Sequence, residues 1–188
     1  EALVGMTSID DACTADADLD VTFSDAAPAG ACPITVVRTY TITDECDNEV
    51  EIIHTITIID TELPVVIGTP TLTAIEGCSI ADLPAAETTV LGLEALVGMT
   101  SIDDACTVDA DLDVTFSDAA PTGTCPITVV RTYTITDECD NEVEIIHTIT
   151  IDDTELPVVT GTPTLTEIEG CSIADLPAAE TTVLGLEA

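Results

Sequence analysis

The sequence predicts an all-β protein built from tandem domains, and two patterns support this. Apolar and polar residues alternate with a period of two in long segments, which is typical of half-buried strands. In addition, residues 1–93 and 94–186 differ at only six positions. The differing pairs are Ala15/Val108, Ala29/Thr122, Ala31/Thr124, Ile59/Asp152, Ile67/Thr160 and Ala74/Glu167. A period of 93 residues exceeds that of solenoids, roughly 20 to 50 residues, so each repeat should carry its own core.

The two most regular strands end each repeat. In residues 125–136 one face carries Ile127, Val129, Arg131, Tyr133 and Ile135, and threonines dominate the other face. The alternation resumes over residues 142–151, and the intervening "DECDN" predicts a hairpin loop. If Thr136 pairs with Glu142, then Arg131 lies opposite His147. We interpret this pair as a structural hydrogen-bond cluster at the edge of the core.

Weaker strand patterns occupy residues 64–77, 97–103 and 111–117. The segment 81–96 fits either a helical turn or a long connection. A polar turn followed by proline, "DTELP", marks where each domain begins. We therefore predict a complete domain at 60–152. It is preceded by the C-terminal part of another domain (1–59) and followed by the N-terminal part of a third (153–188).

Charge and composition exclude several classes of function. The chain has 37 acidic residues against two arginines and no lysine, a net charge of −35. Nucleic acid is excluded as a partner, because phosphate binding needs Lys and Arg. No apolar run approaches the roughly 18 residues of a membrane span, so no membrane insertion is expected. Two histidines, with no Ser–His–acid grouping and no phosphate-binding loop, predict that the protein is not an enzyme.

The order of motifs resembles one known family. Within one period come "DTELPVV", "EGC", "DDAC" and "CPITVVRTYTITDECDNE". This order resembles the hyaline-repeat (HYR-like) domains of large surface and adhesin proteins of Bacteroidetes-type bacteria. The most specific stretch runs from Arg131 to Asn141, although Asp140 stands where the family usually has glycine. The resemblance implies immunoglobulin-like β-sandwich domains strung end to end, used as extracellular spacers or adhesive modules.

The cysteines predict disulfide bonds and an oxidising, extracellular setting. Each period contains four of the eight cysteines, and no C-x-x-C motif occurs. Strand directions place Cys106 beside Cys139 at the end where the domain begins, and Cys78 beside Cys125 at the opposite end. The predicted bonds are therefore Cys106–Cys139, Cys78–Cys125 and, in the first fragment, Cys13–Cys46. Pairing of Cys106 with Cys125 is the alternative. Cys32 and Cys171 would find partners outside a single domain.

Acidic residues gather at the end where the domain begins, and they suggest calcium. The predicted ligands are Asp60, Glu62, Asp103, Asp104, Asp137, Glu138 and Asp140. Calcium takes six to eight oxygen ligands from flexible, carboxylate-rich sites. The hypothesis is that calcium binds at each junction and stiffens a rod of domains. The alternative is that these acids are simply solvated turn residues.

The function predicted from these features is structural. Neighbouring repeats would form the stalk of a long surface filament or giant adhesin, stabilised by disulfides. The ligand of any binding tip stays open. One alternative is a multivalent module that binds glycan or ice. Another is a subunit of a non-covalent polymer, in which one chain donates a strand to its neighbour.

Overall fold

A computed structural model describes residue 3 and residues 5–187, the last by its backbone only, and it shows a mostly β-sheet chain. The predicted all-β class is confirmed. The chain divides into two units, Glu1–Thr154 and Glu155–Ala188. The predicted domain limits at 59/60 and 152/153 remain predictions. Across the described residues, no helix is long and apolar enough to cross a membrane.

The first part of the larger unit is a three-stranded antiparallel sheet. Its strands are β1 (Asp20–Asp25), β2 (Ile34–Thr43) and β3 (Glu49–Ile58), in the order β1-β2-β3. β-branched residues dominate β2 and β3, and these residues suit a pleated, half-buried surface. One side of this sheet is largely uncovered, as its exposed Val21 and Ile58 show.

The rest of the larger unit contains two more sheets. Strands β4 (Val65–Gly68) and β6 (Met99–Asp103) pair antiparallel. The other sheet has the order β5-β9-β8-β7, and β5 runs parallel to β9. Its strands are β5 (Thr73–Glu76), β7 (Asp113–Asp118), β8 (Ile127–Thr136) and β9 (Glu142–Asp152). The register places Arg131 opposite His147, as the alternation predicts.

A short helix closes the core of this second part. The segment left open by the sequence forms a 3-10 turn (Ile80–Asp82) and then α1 (Val90–Glu94). Thr89 caps α1 by accepting a hydrogen bond from Gly92 N. Val90 and Leu93 are buried against β-sheet residues, among them Tyr133. This aliphatic core fixes the ends of β6, β8 and β9, where the candidate site lies.

The smaller unit has the sequence of the segment that precedes and includes α1. It contains a 3-10 turn (Ile173–Asp175) and α2 (Val183–Glu187). Residues 155–170 contain no strand, although their counterparts in the larger unit form β4 and β5. The local turn and helix therefore form from local capping, whereas the strands require partner strands.

Candidate metal centre and disulfide junction

A disulfide joins the two repeats at the point where the β1–β3 sheet meets the second part of the larger unit. Cys32 lies just before β2, and Cys139 lies in the loop between β8 and β9. The two are bonded, with Cα atoms 5.1 Å apart and 107 residues between them in sequence. Because Cys32 belongs to the first 93-residue period and Cys139 to the second, the bond links one repeat to the next.

This bond corrects the predicted pairing of Cys106 with Cys139. Cys106 does lie in the same cavity as Cys32 and Cys139, so the strand directions place it correctly. Next to it, Glu138 N donates a hydrogen bond to Thr107 Oγ1 over 3.3 Å, which joins the two loops. Cys139 is nevertheless bonded to Cys32, which leaves Cys106 as a thiol. The preceding repeat therefore supplies the partner of Cys139, which is Cys32.

The other two predicted bonds are not formed in the structure either. Cys13 and Cys46 are exposed thiols. Cys125 donates its thiol hydrogen to Asp152 Oδ1 over 3.2 Å, and therefore is not bonded to Cys78. The alternative pairing of Cys106 with Cys125 is also absent, since both residues keep their thiols.

Three carboxylates meet beside the disulfide. Asp60 follows β3, Asp104 follows β6, and Asp137 follows β8. Each offers one oxygen, and these three oxygens lie within 4.8 Å of one another. Like charges at this distance repel each other unless a cation or hydrogen-bond donors offset the repulsion. We call this group the junction triad.

Asp137 is the most firmly held member of the junction triad. Its Oδ1 accepts hydrogen bonds from the backbone N–H groups of Cys139 and Asn141, both over 2.8 Å. Its Oδ2 accepts one from Asn141 Nδ2 over 2.7 Å. Burial alone would raise the pKa of Asp137, but the hydrogen bonds from Asn141 and Cys139 outweigh it and hold the pKa below its usual value. Asp137 is therefore a fixed negative charge.

Asp60 and Asp104 each present an oxygen that lacks a hydrogen-bond donor. Asp104 Oδ1 accepts from the backbone of Cys106 and Thr107, and Asp60 Oδ1 accepts from Glu62 N. Their Oδ2 atoms are buried and have no partner among the described residues. A buried acceptor without a donor is costly, and a cation would satisfy both atoms at once.

The raised pKa of the Cys106 thiol reflects the negative charge of the junction triad. The charge of Asp60 is the main cause that raises the pKa of the Cys106 thiol, followed by burial and by the close approach of the thiol to the Asp60 carboxylate, and Asp104 and Glu62 add to the effect. A thiolate would be another negative charge beside the carboxylates, so the thiol keeps its proton. The same field would attract a divalent cation.

The structure gathers three of the seven predicted ligands into the triad. Glu62 and Glu138 line the adjacent cavity, next to the disulfide. Asp103 lies in β6 opposite Val65, and Asp140 is an exposed loop residue with φ of 64°. The sequence argument missed Asn141, whose amide also donates to the backbone oxygen of Asp60 over 3.3 Å. Its place in the "DECDN" loop was the available signal.

Arg131 and His147 lie opposite each other on β8 and β9, and each hydrogen-bonds to a residue of another segment. Arg131 makes a two-pronged ion pair with Asp118, over 2.7 and 2.9 Å, and donates to Pro84 O. His147 Nε2 and Thr73 Oγ1 are hydrogen-bonded over 2.8 Å. Burial, and to a smaller degree the charge of Arg131, lower the pKa of His147. Both side chains are buried, so their role is to hold strands together.

Comparison with known proteins assigns no family. No protein-family model matches the chain, and no curated protein is significantly similar to it. The function must therefore be argued from the disulfide, the junction triad and the sheets around them.

Proposed function

We propose that this chain is an extracellular structural module whose repeats form the stalk of a surface filament or giant adhesin. The repeats would be hyaline-repeat-like, immunoglobulin-type domains strung end to end. The Cys32–Cys139 disulfide carries the proposal, because it connects successive repeats rather than two strands of one repeat. A covalent link at this position transmits load from one repeat to the next.

Two further properties fit an extracellular stalk. Disulfides persist in oxidising surroundings such as the cell surface. The net charge of −35 makes neighbouring stalks repel each other and so limits lateral association. Neither property requires a catalytic group, and the buried Arg131, its ion-pair partner Asp118 and the buried His147 serve stability.

Calcium is the cation that we propose for the junction triad. All three ligands are carboxylate oxygens, which suit the hard cations Ca²⁺ and Mg²⁺. Magnesium demands near-ideal octahedral geometry, whereas calcium accepts irregular sites built from separate loops. Because Asp60 lies in the linker just after β3, whereas Asp104 follows β6 and Asp137 follows β8, a bound ion would restrain the linker. Calcium would thereby stiffen the rod that the disulfide joins.

Thermal unfolding of the 188-residue chain with calcium and with chelator tests the metal. At calcium a hundredfold above Kd, binding adds ~2.7 kcal/mol to the free energy of unfolding. That gain corresponds to a rise in Tm of about 5–11 °C, at the 2–4 °C per kcal/mol typical of chains of 150–250 residues. Asp104→Asn should remove most of the rise. Asp103→Asn is the matched control, because Asp103 lies next in sequence but outside the triad.

Small-angle X-ray scattering of the same samples tests the stalk. We expect elongated particles. The spread of their lengths should narrow when calcium binds to chains whose disulfide is intact. Cys32→Ser should widen that spread, and Cys125→Ser, the equivalent position one repeat later, should not. A calcium-insensitive Tm would remove the metal from the proposal, and a compact particle would overturn the stalk itself.

A further inference from the structure

Three cysteines line the cavity beside the junction triad, and two of them are bonded to each other. Cys32 and Cys139 form the disulfide, whereas Cys106 keeps its thiol. Attack by a thiol group on one sulfur of a disulfide expels the other sulfur, so a thiol in the same cavity is a competing partner. The disulfide between repeats therefore lies beside a group that can open it.

A hydrogen bond holds the loop of Cys106 against the loop of Cys139. Glu138 N donates to Thr107 Oγ1 over 3.3 Å, and Thr107 is buried. Thr107 follows Cys106 in sequence, and Glu138 precedes Cys139. The contact therefore keeps the backbones of these two cysteines side by side.

Two members of the junction triad hold the same two cysteines. Asp104 Oδ1 accepts a hydrogen bond from Cys106 N over 2.9 Å, and Asp137 Oδ1 accepts one from Cys139 N over 2.8 Å. Asp104 and Asp137 each offer a carboxylate oxygen, and these oxygens lie within 4.8 Å of each other. Each cysteine backbone is therefore held by a carboxylate, and the two carboxylates are neighbours.

The first repeat forms the same loop contact without a disulfide. Glu45 N donates to Thr14 Oγ1 over 3.5 Å, and Thr14 is buried like its equivalent. The equivalent cysteines, Cys13 and Cys46, both keep their thiols. The loop contact therefore forms within a repeat whether or not its cysteines are bonded. It should persist when the bond between repeats opens.

We propose that Cys106 exchanges with the disulfide between repeats. Cys106 Sγ attacks Cys139 Sγ, a Cys106–Cys139 bond forms, and the bond between Cys32 and Cys139 breaks. Cys106 gives up its thiol proton and Cys32 takes one up, so the products are again one disulfide and one thiol. No electrons enter or leave, and neither an oxidant nor a reductant is consumed.

The exchange converts a link between repeats into a bond within one repeat. Cys139 is the sulfur attacked, because its loop is the one joined to the loop of Cys106. Cys32 then becomes a thiol, and the two repeats lose their covalent connection. The consequence for a stalk, that a junction can lengthen under load, rests on the proposed function. The exchange itself rests only on the three cysteines and their loops.

Peptide mapping of the 188-residue chain tests the exchange. The chain is incubated in a glutathione buffer of fixed ratio, and its thiols are then blocked with iodoacetamide. We expect two linked peptides, Cys32–Cys139 and Cys106–Cys139. Cys32→Ser should raise the yield of the Cys106–Cys139 peptide severalfold, because the competing partner is gone. Cys125→Ser, at the position equivalent to Cys32 one repeat later, should leave that yield unchanged.

A second variant tests the loop contact. Thr107→Val should lower the share of the Cys106–Cys139 peptide roughly threefold, because the lost hydrogen bond no longer holds the loops together. Thr14→Val removes the equivalent hydroxyl from the first repeat and should leave the share unchanged.

Two results would overturn the inference. One is recovery of Cys106 only as a blocked thiol, both in the unaltered chain and in Cys32→Ser. The other is pairing of Cys106 with cysteines outside the cavity as often as with Cys139. A compact particle in the scattering experiment would overturn the stalk but would not alter the peptide map, so the two failures can be told apart.

Discussion

Ile151→Ala and Ile58→Ala form a matched pair, because the two isoleucines occupy the same position in two repeats. Ile151 is 1% exposed and Ile58 is 58% exposed. Removing three carbons from a filled site loses ~2.4 kcal/mol of transfer free energy, at ~0.8 kcal/mol per methylene, and a cavity adds to that loss. We therefore expect Ile151→Ala to lower the free energy of unfolding by about 3 kcal/mol. Less than half of Ile58 is buried and its site is open to water, so Ile58→Ala should cost at most ~1 kcal/mol.

Tyrosine fluorescence can assign each loss to its own sheet. The chain has two tyrosines and no tryptophan, so a Tyr40→Phe background leaves Tyr133 as the probe of the second sheet. A Tyr133→Phe background reads the first sheet in the same way. In urea, with m of 1–3 kcal/mol/M, a loss of about 3 kcal/mol moves the midpoint by roughly 1–3 M. Equal shifts for both variants would refute the claim that the two sheets differ in cover.

Two further predictions concern Arg131 and His147. Asp118→Ala leaves the buried Arg131 without its partner and should cost about 3 kcal/mol, whereas Asp25→Ala, at the exposed equivalent pair with Arg38, should change the urea midpoint little. His147 has a lowered pKa in the folded protein, so between that value and the ordinary ~6.5 the unfolded chain binds more protons. Its contribution is therefore fully present above about pH 6.5 and declines as pH falls. The change in the urea midpoint between pH 7 and pH 5.5 measures the contribution of His147. If His147→Gln shows the same change with pH, the pH dependence comes from other groups.

The strands could be predicted because period-two alternation directly reflects a sheet with one buried face. The pairing of Arg131 with His147 followed from the hairpin loop, since one cross-strand pair fixes the register of all others. In contrast, the sequence did not predict that β5 pairs with β9. The helix α1 was ambiguous because five residues carry less than two turns of helical pattern.

The candidate site was predictable only in part, for a geometric reason. Strand direction places Cys106, Cys139, Asp104 and Asp137 at one end of the domain, and the structure agrees. Strand direction within one repeat says nothing about which residues of the preceding repeat reach that end. Cys32 does reach it, and so it replaced Cys106 as the partner of Cys139. Among seven acids, the choice of three depends on loop conformation, which alternation does not encode.

The site belongs to the contact between repeats more than to either repeat. Cys32 belongs to one repeat, Cys139, Asp104 and Asp137 belong to the next, and Asp60 lies where the two repeats meet. In tandem arrays, the free energy of unfolding is approximately the sum of a contribution from each repeat, the repeat term, and one from each contact between neighbouring repeats, the neighbour term. The disulfide and the triad contribute to the neighbour term, whereas the Leu93 core contributes to the repeat term. A domain studied alone would therefore retain its fold and lose the disulfide that links it to its neighbour.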